Sequence, residues 1–152
     1  LERLQGVDWI GVRIHEASRT TEVYLNLLAD GRIRHRNANA TIAGVETDAY
    51  LLALSWPKDG DRSRAPEQVF VADGSYVRMQ GHLLLDSLSK VFAHISSHDG
   101  RAQLVAASQP NAELRIDCQG PITVQGSTTP LECESGFATL RRREVAAPEE
   151  KR

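Results

Sequence analysis

The amino-acid sequence predicts an all-β fold, a mostly antiparallel β-sandwich of about eleven or twelve short strands. Short runs of alternating apolar residues recur at intervals of roughly ten residues, which is the spacing typical of sandwiches and barrels. Gly, Asp and Asn, which favour tight turns, stand between these runs. Long stretches with the period of an amphipathic helix are scarce. A closed barrel is the alternative to two packed sheets.

Residues 47–56 form the most apolar stretch, and the rest of the predicted fold is arranged around it. Large side chains at Tyr50, Leu52, Leu54 and Trp56 alternate with small or moderate ones, so both faces of a strand here are apolar. This pattern predicts a strand buried on both sides. A helix is the alternative, because Ala and Leu are good helix formers. We expect Tyr50 to pack in the core and Trp56, beside a long loop, to be half exposed.

The segments before this stretch read as strands joined by short turns. Residues 9–15 and 22–29 alternate in hydrophobicity, and Asp30 followed by Gly31 is a strong two-residue hairpin signal. Residues 32–36 carry mostly charged side chains and suit an edge strand, where charge discourages pairing with another chain. An Asn-rich turn over residues 37–44 leads into the central stretch.

After the central stretch, residues 57–66 form the longest polar loop, and Asp73 followed by Gly74 predicts a turn. Residues 88–96 fit helical spacing as well as strand alternation, and the flanking turns favour the strand. We expect residues 1–141 to form one domain and residues 142–152 to be a frayed polar tail. The remaining predicted strands are residues 67–72, 75–79, 82–86, 103–107, 113–118, 121–125, 131–134 and 137–141.

Composition excludes several classes of protein. Of 152 residues, 41% are hydrophobic and 25% charged, which is too apolar for a disordered chain. The net charge of −2 provides no general attraction to nucleic acid or anionic membranes, so we predict neither as a partner. No apolar run approaches the ~20 residues that a membrane helix needs. The chain starts at Leu1 without a secretory signal, and we expect it to be a piece of a longer protein.

The two cysteines, Cys118 and Cys133, lie in separate strand-like runs. If the runs face each other, a disulfide would close a loop worth about 3 kcal/mol of stability. Two buried free thiols are the alternative, since free cysteine is among the most buried residue types. A bridge would indicate an oxidising compartment. Metal binding is disfavoured, because two isolated cysteines lack the CxxC spacing of zinc sites.

A basic segment is the strongest candidate for ligand binding. Arg32, Arg34, His35 and Arg36 concentrate positive charge within one short run. Arginine guanidinium groups bind carboxylates and sulfates through two parallel hydrogen bonds, so the segment predicts contact with an acidic sugar. A charged edge that only blocks strand pairing is the alternative. Trp56 is a candidate stacking surface for the same ligand.

The histidines do not form a recognisable catalytic or metal motif. His94 and His98 would share a face of a helix and hold a metal there, but they would not do so in a strand. We therefore predict no catalytic residues, no metal and no cofactor. An enzyme acting alone would need at least two of the histidines to converge with a tyrosine or a carboxylate. The five histidines are His15, His35, His82, His94 and His98.

Two stretches resemble a known family. Residues 23–56, VYLNLLADGRIRHRNANATIAGVETDAYLLALSW, and residues 69–93, VFVADGSYVRMQGHLLLDSLSKVFA, resemble the β-sandwich region that follows the catalytic α-helical domain in heparinase II/III-like polysaccharide lyases. The resemblance covers about half the chain and lies in the order of strands and turns. That family carries out β-elimination at uronic acids with Tyr and His mainly from helical and central regions. Those regions have no counterpart in this sequence, so the resemblance transfers no catalytic residues.

These observations together predict a secreted or periplasmic accessory domain. Its expected work is to support or bind acidic polysaccharide beside a catalytic lyase domain or partner subunit. One alternative is a structural subunit of an extracellular assembly, joined through strand edges. Another is a small polysaccharide lyase or hydrolase that acts alone.

Overall fold

The computed structural model describes residues 1–29, 40–42, 44–58, 64–79, 82–98, 101–108 and 113–141. A short 3-10 helix, Leu27–Ala29, follows the third strand. The prediction of an all-β, mostly antiparallel fold is confirmed. The strands are β1 (Glu2–Gln5), β2 (Trp9–His15), β3 (Arg19–Asn26), β4 (Ala40–Ile42), β5 (Val45–Thr47), β6 (Leu51–Pro57), β7 (Gln68–Met79), β8 (His82–His98), β9 (Arg101–Ser108), β10 (Glu113–Asp117), β11 (Ile122–Val124) and β12 (Phe137–Arg141).

The twelve strands within the described residues belong to one hydrogen-bonded sheet, which the long hairpin β7–β8 divides into two sections. Section 1 contains β1, β2, β3, β6, β9 and β11, with residues 68–72 of β7 and 91–98 of β8. Section 2 contains β4, β5, β10 and β12, with residues 76–79 of β7 and 82–87 of β8. The sections are thus joined through shared strands, whereas a sandwich has two separately bonded sheets. The described strands do not close into a barrel.

The inward side chains of both sections form a single hydrophobic cluster. Leu54 and Leu104 come from section 1, and Leu85 and Leu140 come from section 2. Antiparallel pairing places these alternate side chains on the same side of neighbouring strands. Among the described pairs, β9–β11 alone is parallel. The part of the chain that the structure describes contains no helix long and apolar enough to cross a membrane.

The predicted continuous strand over residues 47–56, buried on both sides, is wrong in two respects. Leu51 and Ala53 on its outward side are only partly buried, and the chain crosses between the sections at its start. β5 ends at Thr47 in section 2, and β6 begins at Leu51 in section 1. Between them the buried carboxylate of Asp48 accepts hydrogen bonds from the backbone N–H of Ser75 at 2.7 Å and of Tyr76 at 3.2 Å. The Ser75 hydroxyl donates to the same carboxylate at 2.5 Å. Asp48 therefore ties the crossing to the middle of β7.

The predicted turn at Asp73 and Gly74 is also wrong, because these residues form a bulge inside β7. The β7–β8 register shifts on both sides of Gly74, and Asp73 has a positive φ of 59°. Asp tolerates this left-handed conformation better than most residues, so a typical turn sequence here bends a continuous strand. The predicted strands at residues 67–72 and 75–79 consequently merge into one.

Other predictions about strands can also be compared with the structure. The predicted strand at residues 131–134 is wrong, because Leu131 and Glu134 make only isolated bridges. Residues 88–96 are strand, as the flanking turns favoured, and they continue the 17-residue strand β8. β1 was missed, because Leu4 is its only large apolar residue and no alternation is visible. The predicted hairpin at Asp30–Gly31 and the predicted tail at residues 142–152 lie outside the described residues.

Cys118 and Cys133 form a disulfide, with their Cα atoms 6.1 Å apart. Cys118 directly follows β10, and its backbone N–H donates to the carbonyl of Gly136 at 3.0 Å. The bridge ties the segment that carries β11 to the antiparallel pair β10–β12. Of the two states that the sequence left open, the bonded form is the correct one.

Gly74 provides a test of the crossing between the sections. A Cβ atom at this position would lie 2.6 Å from Cβ and 2.8 Å from Cα of the buried Ala49. We predict that Gly74→Ala lowers the free energy of unfolding by about 1–3 kcal/mol, the usual penalty for overpacking a core. Urea denaturation measures the change. Gly120→Ala is the matched control, since no atom lies within 4 Å of the position that its new methyl group would take, and an equal loss in both variants would contradict the prediction.

The disulfide provides a second test. Replacing both cysteines by serine removes a cross-link between positions separated by 15 residues. The unfolded chain then gains freedom worth about 3 kcal/mol. For a chain of this length we expect Tm to decrease by roughly 6–12 °C, measured by calorimetry under non-reducing conditions. The same decrease should appear in the wild type after reduction, and an unchanged Tm in both experiments would contradict the prediction.

Candidate functional site

The structure corrects one of the predicted ligand-binding residues and leaves the others as predictions. Trp56 is only 2% exposed, so the expected half-exposed stacking surface is wrong. Its indole N–H donates to the carbonyl of Arg64 at 3.0 Å. The four predicted anion-contact residues lie outside the described residues: Arg32, Arg34, His35 and Arg36.

Strand alternation explains why Trp56 is buried. It shares the inward face of β6 with Leu52 and Leu54, and both of these side chains are fully buried. The prediction placed it at the surface because a polar loop follows, but its indole hydrogen bond to Arg64, in the described part of that loop, holds it inward. Tyr50 was predicted to lie in the core but is 40% exposed, since it belongs to the crossing between sections and not to a strand.

Section 1 has an outer face, turned away from the core, that stays partly open to solvent. In β3 the side chains of Glu22, Tyr24 and Asn26 are buried inward, so the alternate ones, such as Thr21 and Val23, point outward. The pairing register then sets the outward side chains of six neighbouring strands, β2, β3, β6, β7, β8 and β9, in transverse rows.

One of these rows is polar and two are mainly apolar. The polar row consists of Thr21, Ser55, Gln68, Ser96 and Gln103. The apolar rows consist of Val12, Val23, Ala53, Phe70, His94 and Val105, and of Ile10, Leu25, Leu51, Ala72 and Phe92. Four large members are strongly exposed, with Phe92 at 52%, Ile10 at 43%, Val105 at 41% and Phe70 at 39%. These exposed side chains make the face a candidate for contact with another molecule.

A small pocket of about 160 Å³ lies where the polar row meets the apolar rows. We call it the polar pocket, and its lining includes Arg19, Thr21, Ser55, Gln68, Phe70 and His94. The guanidinium NH1 of Arg19 donates to the hydroxyl of Ser55 at 2.7 Å. His94 Nε2 lies 3.4 Å from the side-chain oxygen of Gln68, and its ring centroid is 6.2 Å from that of Phe70. A cation, amide and hydroxyl groups and an aromatic ring therefore meet in one depression.

An apolar groove of about 680 Å³ lies at the β1 end of the outer face. Ile10, Val12 and Val23 contribute to its lining, and the edge strand β1 adds the polar side chains of Arg3 and Gln5. The groove continues the apolar rows, so both belong to one surface.

A third depression, a cleft of about 260 Å³, opens between the two sections. Its apolar lining includes Val69 from section 1 and Ile116 from section 2, and its polar lining includes Glu67, Arg101 and Asp117. Partial burial raises the pKa of the Asp117 carboxyl group, and the positive charge of a protonated His82 partly offsets this effect. The cleft lining thus combines two acidic side chains and one basic side chain with residues of the hydrophobic cluster.

A buried charge cluster lies on the inward side of β2 and β3. Arg13 Nε donates to Glu22 Oε2 at 2.9 Å, and the Tyr24 hydroxyl donates to Glu22 Oε1 at 2.7 Å. Arg13 NH1 also donates to Glu2 at 2.9 Å, and this hydrogen bond lowers the pKa of that carboxyl group. Glu22 and Tyr24 are fully buried, so they cannot contact a polymeric ligand. The cluster instead connects the edge strand β1 to β2 and β3.

The described histidines do not converge. His82 and His94 lie at the start and near the end of β8, and His15 ends β2, four strands away or about 19 Å across the sheet. His35 and the side chain of His98 lie outside the described residues. No group of three His, Cys, Asp or Glu residues that could hold a metal ion occurs within the described ranges.

Comparisons with known proteins add no family assignment. No protein-family model matches the sequence, and no curated protein matches it. The functional conclusion therefore depends on the fold, the outer face and the resemblance in strand order.

Sequence reasoning did not find the outer face, although part of its signal was present. Phe70 and His94 alternate with buried residues along their strands, which indicates a second face but not its exposure. The polar row was not visible, because its five residues come from five different strands. Only the pairing register places them side by side.

Asp117 gives a prediction about pH. A carboxyl pKa raised in the folded state means that the native protein holds this proton more tightly than the unfolded chain. This contribution to stability is present at low pH and is lost as the pH rises from the ordinary value of 3.8 through the raised pKa. Asp117→Asn should therefore match the wild type below that window and be more stable above it. Urea denaturation on both sides of the window measures the difference, and a variant less stable at the higher pH would contradict the prediction.

Proposed function

We propose that this chain is a noncatalytic accessory β domain that supports and binds acidic polysaccharide beside a lyase domain. The observation that carries the proposal is the outer face of section 1, with its apolar rows and adjoining polar row. The resemblance of residues 23–56 and 69–93 to the β-sandwich region of heparinase II/III-like lyases supplies the class of partner and ligand.

The apolar rows support docking against another protein surface. Across six strands the face is about 24 Å wide, taking the usual spacing between neighbouring strands. Large side chains such as Phe92 and Ile10 remain accessible on it. Burying them against a second domain would remove apolar area from water at roughly 25 cal/mol per Å². A catalytic domain packed here would be held in a fixed position relative to the polar row.

The polar row and Arg19 support contact with an acidic polymer. Hydroxyl and amide side chains bind sugar hydroxyl groups, and a guanidinium group binds a carboxylate. The predicted basic segment, residues 32–36, would add positive charge. The disulfide fits an oxidising compartment, so the proposed location is secreted or periplasmic.

Binding to a polyuronate tests the ligand half of the proposal. Residues 1–152 should be retarded in affinity electrophoresis by polygalacturonate but not by dextran of similar length. The retardation should weaken with added salt, since the attraction is between charges. Equal migration in both polymers at low ionic strength would refute polysaccharide binding.

Protection of the outer face tests the supporting half. Where the reading frame around residues 1–152 encodes a helical catalytic region, hydroxyl-radical labelling should modify Phe70 and Phe92 in residues 1–152 and spare them in the longer protein. Tyr50, which is 40% exposed and lies outside the three rows, is the internal control. Equal labelling of Phe70 and Phe92 in both proteins, or a reading frame without such a region, would refute the supporting role.

A structural subunit is the second candidate, because the same apolar rows would suit contact between copies of this chain. Sedimentation velocity over a range of concentrations distinguishes the two functions. Concentration-dependent polymers that disappear in a Phe92→Lys variant would favour the subunit. A single monomeric species would favour the accessory domain.

A further inference from the structure

We propose that the polysaccharide lies across the strands of section 1 along the polar row, with one uronate carboxylate held by Arg19 in the polar pocket. The inference depends on the proposed function and assigns its binding site. It also moves the principal anion contact from the predicted basic segment to a residue that the sequence analysis did not select.

The direction of the polymer follows from the geometry of the sheet. Thr21, Ser55, Gln68, Ser96 and Gln103 stand on five successive strands in direct register. Neighbouring strands are about 4.8 Å apart, which is close to the advance per sugar unit in an extended polysaccharide. A chain crossing the strands would therefore meet the polar side chains of Thr21, Gln68, Ser96 and Gln103. Ser55 is only 5% exposed, so it holds Arg19 and does not touch the sugar. A chain running along a strand would instead alternate between polar and apolar rows.

The guanidinium group of Arg19 is placed to bind a carboxylate of the ligand. Its side chain is 31% exposed, so the guanidinium group is held in the pocket and still reached from solvent. The hydrogen bond from NH1 to Ser55 at 2.7 Å fixes its position. NH2 forms an ion pair with the half-buried Glu67 at 3.9 Å, a distance too long for a hydrogen bond, so its N–H groups can still donate to a ligand. A ligand carboxylate would gain charge-assisted hydrogen bonds from these remaining N–H groups without displacing the one to Ser55.

The rest of the pocket suits the body of a sugar. Phe70 is 39% exposed and offers an apolar ring surface to the C–H side of a pyranose. Gln68 and His94 are held 3.4 Å apart, and both carry groups that hydrogen-bond to sugar hydroxyls. The volume of about 160 Å³ admits a single sugar unit, so the pocket would bind one sugar of the polymer at a time.

The other two depressions fit this ligand less well. The cleft between the sections has two carboxylates, Glu67 and Asp117, against the one guanidinium group of Arg101 in its lining, so the excess negative charge disfavours an anionic sugar. The groove beside β1 has Arg3 and Gln5 as its only polar side chains among the lining residues, which leaves most sugar hydroxyls without partners.

The experiment compares two charge-removing variants in calorimetric titrations with oligogalacturonate. Arg19→Gln should weaken binding about tenfold or more, since it removes a charge-assisted interaction. Arg78→Gln is the matched control: Arg78 is exposed in section 2, 3.3 Å from Glu46, and its loss changes the net charge equally. We expect the control to bind within about twofold of the wild type.

Amide chemical shifts of the wild-type protein provide a measurement that does not depend on a variant's folding. Oligogalacturonate should shift the amides of the polar row and leave that of Arg78 unchanged. If the wild type binds but the shifts lie elsewhere, or Arg19→Gln folds and binds like the wild type, this assignment is overturned and the proposed function stands. If the wild type binds no polyuronate at all, both fail.

Discussion

The buried carboxylate of Asp48 is the interaction on which the rest of the structure depends. It accepts hydrogen bonds from the backbone of Ser75 and Tyr76 where β7 bends, and from the Ser75 hydroxyl. Thr47 adds a hydrogen bond from its hydroxyl to the carbonyl of Tyr76 at 2.8 Å. Backbone groups that leave the strand ladder at a bulge need other partners, and Asp48 supplies them. The carboxylate of the crossing segment and the backbone N–H groups of the bent strand thus serve as each other's hydrogen-bond partners.

Two small residues allow the crossing segment to pack closely against the bulge in β7. Gly74 lacks the Cβ atom that would collide with Ala49, and Ala49 is itself fully buried. Because the chain changes section at this point, β5 and β6 can pair with different halves of the same strand β7. One hairpin therefore supplies the shared strands of both sections, and their inward side chains complete a common core.

This arrangement explains why one face of section 1 is open. Section 2 packs against the inward face of section 1 and covers it. No described strand packs against the outward face, so Phe70 and Phe92 stay accessible there. The register that builds the core also aligns the outward residues, so the polar row and the core depend on the same backbone hydrogen bonds. The proposed binding surface is consequently as rigid as the sheet itself, which suits recognition of an extended polymer.

The sequence by itself determined the all-β class, most strand positions and the alternation of large and smaller side chains along β6, because side-chain periodicity is a local property. It also limited the pairing of the cysteines to bonded or free. Only the tertiary structure decided that Asp73 and Gly74 bend a strand instead of ending it, and that Trp56 is covered while Phe70 is exposed. These outcomes depend on which segments pack over a given face. The polar row likewise exists only through the register of five strands distant in sequence, and no local pattern encodes such a register.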